Sequence, residues 1–313
     1  MSANSGGSPP PPEPTQPPED WLYKELYDRV REVLYVLPAR FSSELRISGV
    51  LATDLFAFNT SLGATIEQQV VESLNDLRAS WDPDQEYVKY QFVRQAQRFP
   101  DVVLRASVPD TEPEVIMGIE LKGWYALSKE EVPSFRYRAT PAVCASQDLL
   151  VVYPWALSDV ISGSPELLQP YVIEARTAAE YRNWHWQHGM RQGRGKRKIR
   201  LSSVETHYPR KGDEISDAAE SGKGSNFGRF ARTGLMDDYM KELRKETLSG
   251  IPISAWQKFL KIFSEEQTED EIARGLNELA ITEAPSSNSI SETTAREIKT
   301  RFLEIVRLVR QDS

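Results

Sequence analysis

PDVVLRASVPDTEPEVIMGIELK, residues 100–122, is the stretch on which the fold of this 313-residue chain turns. Val102-Val103-Leu104 is a short apolar run of β-type residues. Val108-Pro109-Asp110-Thr111-Glu112-Pro113 is turn chemistry, because proline fixes φ and Asp and Thr side chains bond the nearby backbone. Val115-Ile116-Met117-Gly118-Ile119 suits a strand buried on both faces. A hairpin folded about Asp110/Thr111 sets Asp101 opposite Glu120. Glu120 and Lys122 are two apart and share a face, while Leu121 points to the other. Two carboxylates and an ammonium then converge at one end of the ribbon. Charges that directly follow five apolar residues of a central strand are costly to bury unless paired or bound to metal. The blander reading is an edge hairpin whose Glu and Lys form an ordinary pair worth about a few tenths of a kcal/mol.

The combination occurs once. A second Glu-x-Lys, Glu297-Ile298-Lys299, lies in a helical pattern, where positions two apart do not face each other. Of the other Pro-Asp pairs, Asp84 sits too far upstream and Asp110 falls at the hairpin tip, roughly 30 Å from Glu120 at about 3.3 Å per residue.

Pro100-Asp101 and Glu120-Leu121-Lys122 resemble the motif of the PD-(D/E)XK nuclease superfamily, the fold of most type II restriction endonucleases. The resemblance implies that Asp101 and Glu120 bind Mg²⁺ with help from the Leu121 carbonyl. It implies that Lys122 orients or deprotonates the attacking water, or stabilises the pentavalent phosphate. Cleavage would leave 5′-phosphate and 3′-hydroxyl ends. A helix before the hairpin often carries a further acid in this superfamily, and Glu67 is the candidate. A first-turn Glu favoured by the helix dipole accounts for Glu67 equally well.

The surrounding pattern fits. Trp21 to Leu37 reads as an amphipathic helix closed by Pro38, and Gly49 to Asn59 as apolar and helical. Thr60-Ser61 opens a helix from about Ala64 to Trp81, with Ile66, Val70, Val71, Leu74 and Leu77 at helical spacing. Tyr87 to Phe92 suits a strand, Ala139 to Gln147 a short helical crossover, and Leu149 to Tyr153 a buried strand parallel to its neighbour. Tyr171 to Ala175 suits a fifth strand and Ala178 to Trp186 a short helix. The expected class is α/β (α+β): a restriction-endonuclease-like core over residues 20–234, its central mixed sheet flanked by helices. A mostly helical region then fills residues 235–313, with helices near Leu235–Leu248, Ser254–Phe263, Glu269–Leu279 and Glu292–Val309. That region could pack on the core, build a dimer interface or read DNA.

A formal charge of −8 is unusual for a DNA-binding chain, but its distribution is uneven. Tyr181 to Lys211 holds nine Lys and Arg against one acid, Glu205, so the rest of the chain is strongly acidic. Arg191, Arg194, Lys196, Arg197, Lys198 and Arg200 crowd a run that Gly189, Gly193 and Gly195 make a flexible loop. Like charges at this density repel unless a polyanion neutralises them; a solvated basic loop is the alternative. A second Gly-rich basic stretch, Ser221 to Gly234, lacks P-loop spacing. Its amides with Lys223, Arg229 and Arg232 could grip phosphates, or it could be a structural turn.

Other chemistries lack their parts. His185 and His188 have no cysteines or third histidine to complete a zinc set. Cys144, the single cysteine, excludes an internal disulfide framework and has no visible partner for nucleophilic catalysis. No run of about 18 apolar residues suggests a membrane span, and the N-terminus lacks the charged start and apolar core of a signal peptide. Residues 1–19, Gly/Ser- and then Pro-rich, read as a disordered tail. The expectation is therefore a cytoplasmic, Mg²⁺-dependent enzyme acting on double-stranded DNA, a homodimer if both strands are cut at a two-fold site. Its lead form is a type II restriction endonuclease. Alternatives are a less specific defence or repair nuclease, and a DNA-binding protein whose hairpin charges are structural.

Overall fold

The computed structural model describes residues 8–50, 52–106, 114–190, 197–220, 224–263, 268, 270–275 and 300. A mixed sheet of six strands forms the centre: β1 (Tyr90–Arg94), β2 (Val102–Ala106), β3 (Val115–Tyr125), β4 (Leu149–Leu157), β5 (Pro165–Leu167) and β6 (Tyr171–Glu174). The first four lie side by side in chain order. Along the far edge of β4, β6 pairs its first half and β5 its last three residues. Every pairing is antiparallel except β3 with β4. All nine residues of β4 are buried, which is why Leu149 to Tyr153 reads as an unbroken apolar run rather than an alternating one.

The parallel pair needs a crossover, and residues 126–148 supply it. Only Pro141–Val143 is helical there, as a single 3₁₀ turn, where a helix over Ala139 to Gln147 is expected. The reason is that the preceding residues are used as extended backbone. Arg136 bridges Arg229, Ala139 bridges Ser216, and the Thr140 N–H donates to Ile215 O at 2.9 Å.

Helices cover the sheet. α1 (Lys24–Val36) runs into a 3₁₀ turn at Pro38, as its amphipathic pattern indicates. α2 (Ala52–Asp76) is one continuous helix packed on β1 and β3, followed by the short α3 (Arg78–Trp81). The helix start expected at Thr60-Ser61 is therefore absent. Ser and Thr are good caps, but mid-helix they are tolerated at little cost when the flanking turns keep their own bonds. α4 (Ala175–Trp184) packs on β4 and β6 and ends in a π turn, His185–Gly189.

Beyond the sheet, α5 (Asp237–Leu243) stops short of the expected Leu248. Ser249 and Gly250, both at positive φ (51° and 78°), make a two-residue hairpin joining the short strands Thr247–Leu248 and Ile251–Pro252. Such turns require left-handed backbone at both positions, which Gly supplies without strain. α6 (Ile253–Phe263) then packs on α2, and Gln257 Nε2 donates to Ala126 O at 2.8 Å. This part of the C-terminal region thus packs on the core. Residues 270–275 are helical; the remainder of the helix expected at Glu269–Leu279, and all but residue 300 of that at Glu292–Val309, lie outside the described residues.

Two further expectations change. The proline-rich tail is seated from Ser8 onward: Thr15 N–H donates to Thr177 Oγ1, Trp184 Nε1–H donates to Pro9 O, both at 2.8 Å, and Pro17 is buried. Composition misjudges it because proline-rich backbone has little freedom to lose on ordering. Arg182, counted with the basic segment, is instead a buried strut. It donates to Tyr137 O and Ala139 O at 3.0 Å each and pairs with buried Asp217 at 2.6 Å. Among the described residues, no helix is long and apolar enough to cross a membrane.

Candidate active site

The site forms where β3 changes partners. β2 pairs with β3 only as far as Val102 opposite Ile119, whereas β4 pairs with it from Ile119 to Tyr125. Continuing the β2 register by one residue sets Asp101 across from Glu120, the alignment the sequence spacing gives. Past Ile119, the backbone groups of β3 that would face β2 have no strand to bond. Carboxylates take them instead. Leu121 N–H donates to Asp101 Oδ2 at 3.2 Å, and Gly123 N–H donates to Glu67 Oε1 at 3.3 Å. Because N–H and C=O of a strand residue face the same neighbour, the Leu121 carbonyl is directed to the Asp101 side as well.

Glu120 and Lys122 close the cluster. Lys122 Nζ lies 2.8 Å from Glu120 Oε1 and 3.1 Å from Asp101 Oδ2, and Asp101 N–H donates to Glu120 Oε2 at 3.3 Å. The structure therefore brings Asp101, Glu120 and Lys122 together, with Glu67 beside them on α2. Burial, reinforced by Asp101 and opposed by Lys122, pushes the Glu120 carboxyl up to about 7. Burial likewise raises Glu67, against the pull of Lys122. Burial acts to lower the Lys122 ammonium, but Glu120 and Asp101 outweigh it and hold it well above its usual range. Three carboxylates around one ammonium leave negative charge over.

Two close contacts fix these positions. Gly63 of α2 meets Gly123 of β3 so tightly that a Cβ on Gly123 would lie 3.2 Å from the Gly63 Cα. With no side chain between them, the helix lies on the strand and carries Glu67, one turn later, over the Gly123 N–H. On the other flank, Pro100 sits on Gly118. A Cβ there would lie 2.2 Å from Pro100 Cγ and 2.8 Å from Asp148 Oδ1. Asp148 itself is buried and accepts from Gly118 N–H and Ala145 N–H at 2.8 Å each, and from the Tyr208 hydroxyl at 3.0 Å. Neither neighbour can yield cheaply. Gly118→Ala is expected to cost about 1–3 kcal/mol in chemical denaturation and to displace Pro100-Asp101. Wild-type stability in that variant would show that Pro100 has room to move.

Asp101 and Glu120 open onto a cleft of about 320 Å³ whose lining includes Arg98, Arg136, Arg138, Arg210 and Asp213. Arg98, Arg136 and Arg138 escape the sequence reading. Their signal is faint: Arg136-Tyr137-Arg138 alternates exposed, buried, half-buried, a strand-like period of two in a stretch without other strand character. Arg98 precedes the motif by two residues.

The expected DNA-contacting residues divide. Arg197 stacks over Trp186, 4.4 Å from the ring centre. Lys198 adjoins, and Arg200 belongs to, β7 (Ile199–Arg200), which pairs with β8 (Ala218–Ala219); Arg200 is exposed. Arg229 pairs with Glu130 at 3.1 Å, and Arg232 donates to Asn226 Oδ1 at 2.8 Å. Arg191, Arg194, Lys196 and Lys223 lie outside the described residues, as does the hairpin turn at Val108–Pro113.

Among the described residues, no group of three or more His, Cys, Asp or Glu gathers closely enough to hold a metal by itself. Mg²⁺, however, takes oxygen donors and is commonly held by one or two carboxylates, with water and substrate phosphate completing its shell. Asp101, Glu120 and the Leu121 carbonyl are donors of that kind, in a cluster with negative charge to spare, so the residues present fit the ion. Comparison of the chain with protein-family models, curated proteins and solved structures returned no match.

Proposed function

We propose that this chain is a Mg²⁺-dependent nuclease of the PD-(D/E)XK kind, hydrolysing double-stranded DNA as a type II restriction endonuclease. The observation that carries the proposal is the meeting of Asp101, Glu120 and Lys122 at the strand edge where β3 leaves β2. The order α2, β1, β2, β3, crossover, β4 supports it, because a restriction-endonuclease-like core has that sequence of elements.

Asp101 and Glu120 would hold the ion, with the Leu121 carbonyl beside them. Bound there, Mg²⁺ supplies Lewis acidity and a more acidic water. Lys122 does the rest of the electrostatic work. Tied to two carboxylates, it stays an ammonium, so its role is a fixed positive charge beside the phosphate rather than a proton acceptor. Glu67, bonded to the Gly123 amide, stands close enough to orient water at the cluster edge. Cutting both strands of a symmetric site would call for a homodimer.

Incubating the protein with plasmid DNA and Mg²⁺ tests the reading. Discrete fragments are the expected result. A smear would instead mark a nuclease without strict sequence preference. DNA left intact, with binding retained, would mark a DNA-binding protein whose hairpin charges are structural, and would overturn the proposal.

A further inference from the structure

We infer that the arginine-lined cleft beside Asp101 and Glu120 seats the backbone phosphates next to the cleaved bond, gripped by Arg98, Arg136, Arg138 and Arg210. The inference rests on the nuclease reading and adds the residues that hold its substrate.

The four guanidiniums come from three separate segments. Arg98 lies in the turn that leads into Asp101. Arg136 and Arg138 flank buried Tyr137 on the extended start of the crossover, which Arg182 braces through the carbonyls of Tyr137 and Ala139. Arg210 comes from the loop anchored by the Tyr208–Asp148 hydrogen bond. All four line one cleft with the two site carboxylates.

Among the described residues none of the four guanidiniums forms an ion pair, although the Arg210 backbone N–H donates to Asp213 Oδ2 at 2.8 Å. Arg136 donates to Ser225 O at 2.9 Å, and Arg138 Nε is buried without a partner. Lys122 bridges Glu120 and Asp101 at the mouth of the cleft, and Asp213 is the third acid of its wall, so the four guanidiniums outnumber the acids that line it. Cations converging this way repel one another until an anion enters. A guanidinium fork matches phosphate oxygens in a bidentate manner. A volume of about 320 Å³ is at the small end for a ligand pocket, which suits phosphodiester backbone more than a stacked base pair. The cleft begins at the carboxylates, so phosphate seated in it lies next to the reacting one.

The test is binding of a fluorescein-labelled duplex to the full chain in Ca²⁺, over a series of salt concentrations. Arg98→Gln/Arg210→Gln changes two exposed residues, so the fold is spared; Arg138→Gln is the stronger second variant. Each phosphate contact removed should make the slope of log affinity against log salt shallower by about 1. The double variant is therefore expected to lose about 2. An unchanged slope in both variants, with unfolding transitions intact, overturns the inference. So does an effect confined to duplexes with a free 5′-phosphate and missing from hairpin-capped ones, since that would place a terminal phosphate in the cleft. The two failures separate cleanly. Arginine-dependent slopes without any cleavage in Mg²⁺ would sink the hydrolase and keep the cleft; cleavage with unaltered slopes would do the reverse.

Discussion

Asp101→Asn is expected to lower Mg²⁺-dependent cleavage by roughly 10²- to 10³-fold, on the scale of losing one preorganised electrostatic contact to a transition state, and to leave the fold intact. Asparagine keeps an oxygen for the Leu121 N–H, now 3.2 Å from Asp101 Oδ2, but no longer carries the charge a cation needs. Lys122→Ala should fall as far by a different route, since it removes the ammonium shared by Asp101 and Glu120. Single-turnover cleavage gives the rate, and DNA affinity in Ca²⁺ gives the control. Affinity should hold in both variants while the rate collapses. Cleavage surviving in either would withdraw the assignment of these residues to hydrolysis.

Glu120→Gln is expected to kill activity and yet stabilise the metal-free protein. Burial lifts the Glu120 carboxyl to about 7, above the ordinary 4.5 that it regains on unfolding. A carboxyl raised in the folded state adds stability only while it is protonated. Its contribution is present below pH 4.5 and is lost as pH rises towards 7. Glutamine mimics the protonated form at every pH. In chelator at pH 8, the variant should therefore be the more stable, with the gain fading to nothing below pH 4.5. Denaturant titrations across that window measure it. Equal stability at both ends would mean that Glu120 ionises inside the fold without cost.

The hairpin was legible because three independent signals coincide over 23 residues: apolar runs of strand length, prolines between them, and a charge pair spaced by two. Register follows from the turn midpoint, and the pairing of Val102 with Ile119 agrees with it. A β-bulge at Leu104/Arg105 shifts the other end of the ribbon, and no residue there announces it. Thr60-Ser61 misled because capping chemistry is local, whereas the continuity of α2 is decided by its packing on β1 and β3. Leu235 to Leu248 looks helical throughout until Ser249-Gly250, whose paired left-handed conformations reverse the chain. Arg98, Arg136, Arg138 and Arg210 were scattered over more than a hundred positions of sequence, and only tertiary contact assembles them. Arg182 shows the converse. Surrounded by surface cations in sequence, it is held inside by Asp217 and two carbonyls.

Gly63 and Gly123 touch backbone to backbone, so the acid on α2 is aimed by what those two positions lack. A methyl on Gly123 would press on the Gly63 Cα at 3.2 Å and push the helix that carries Glu67, whereas one on Gly63 would meet only the Gly123 carbonyl at 3.6 Å, an ordinary contact. Any kin of this chain that keeps the acid should therefore hold position 123 to glycine more strictly than position 63.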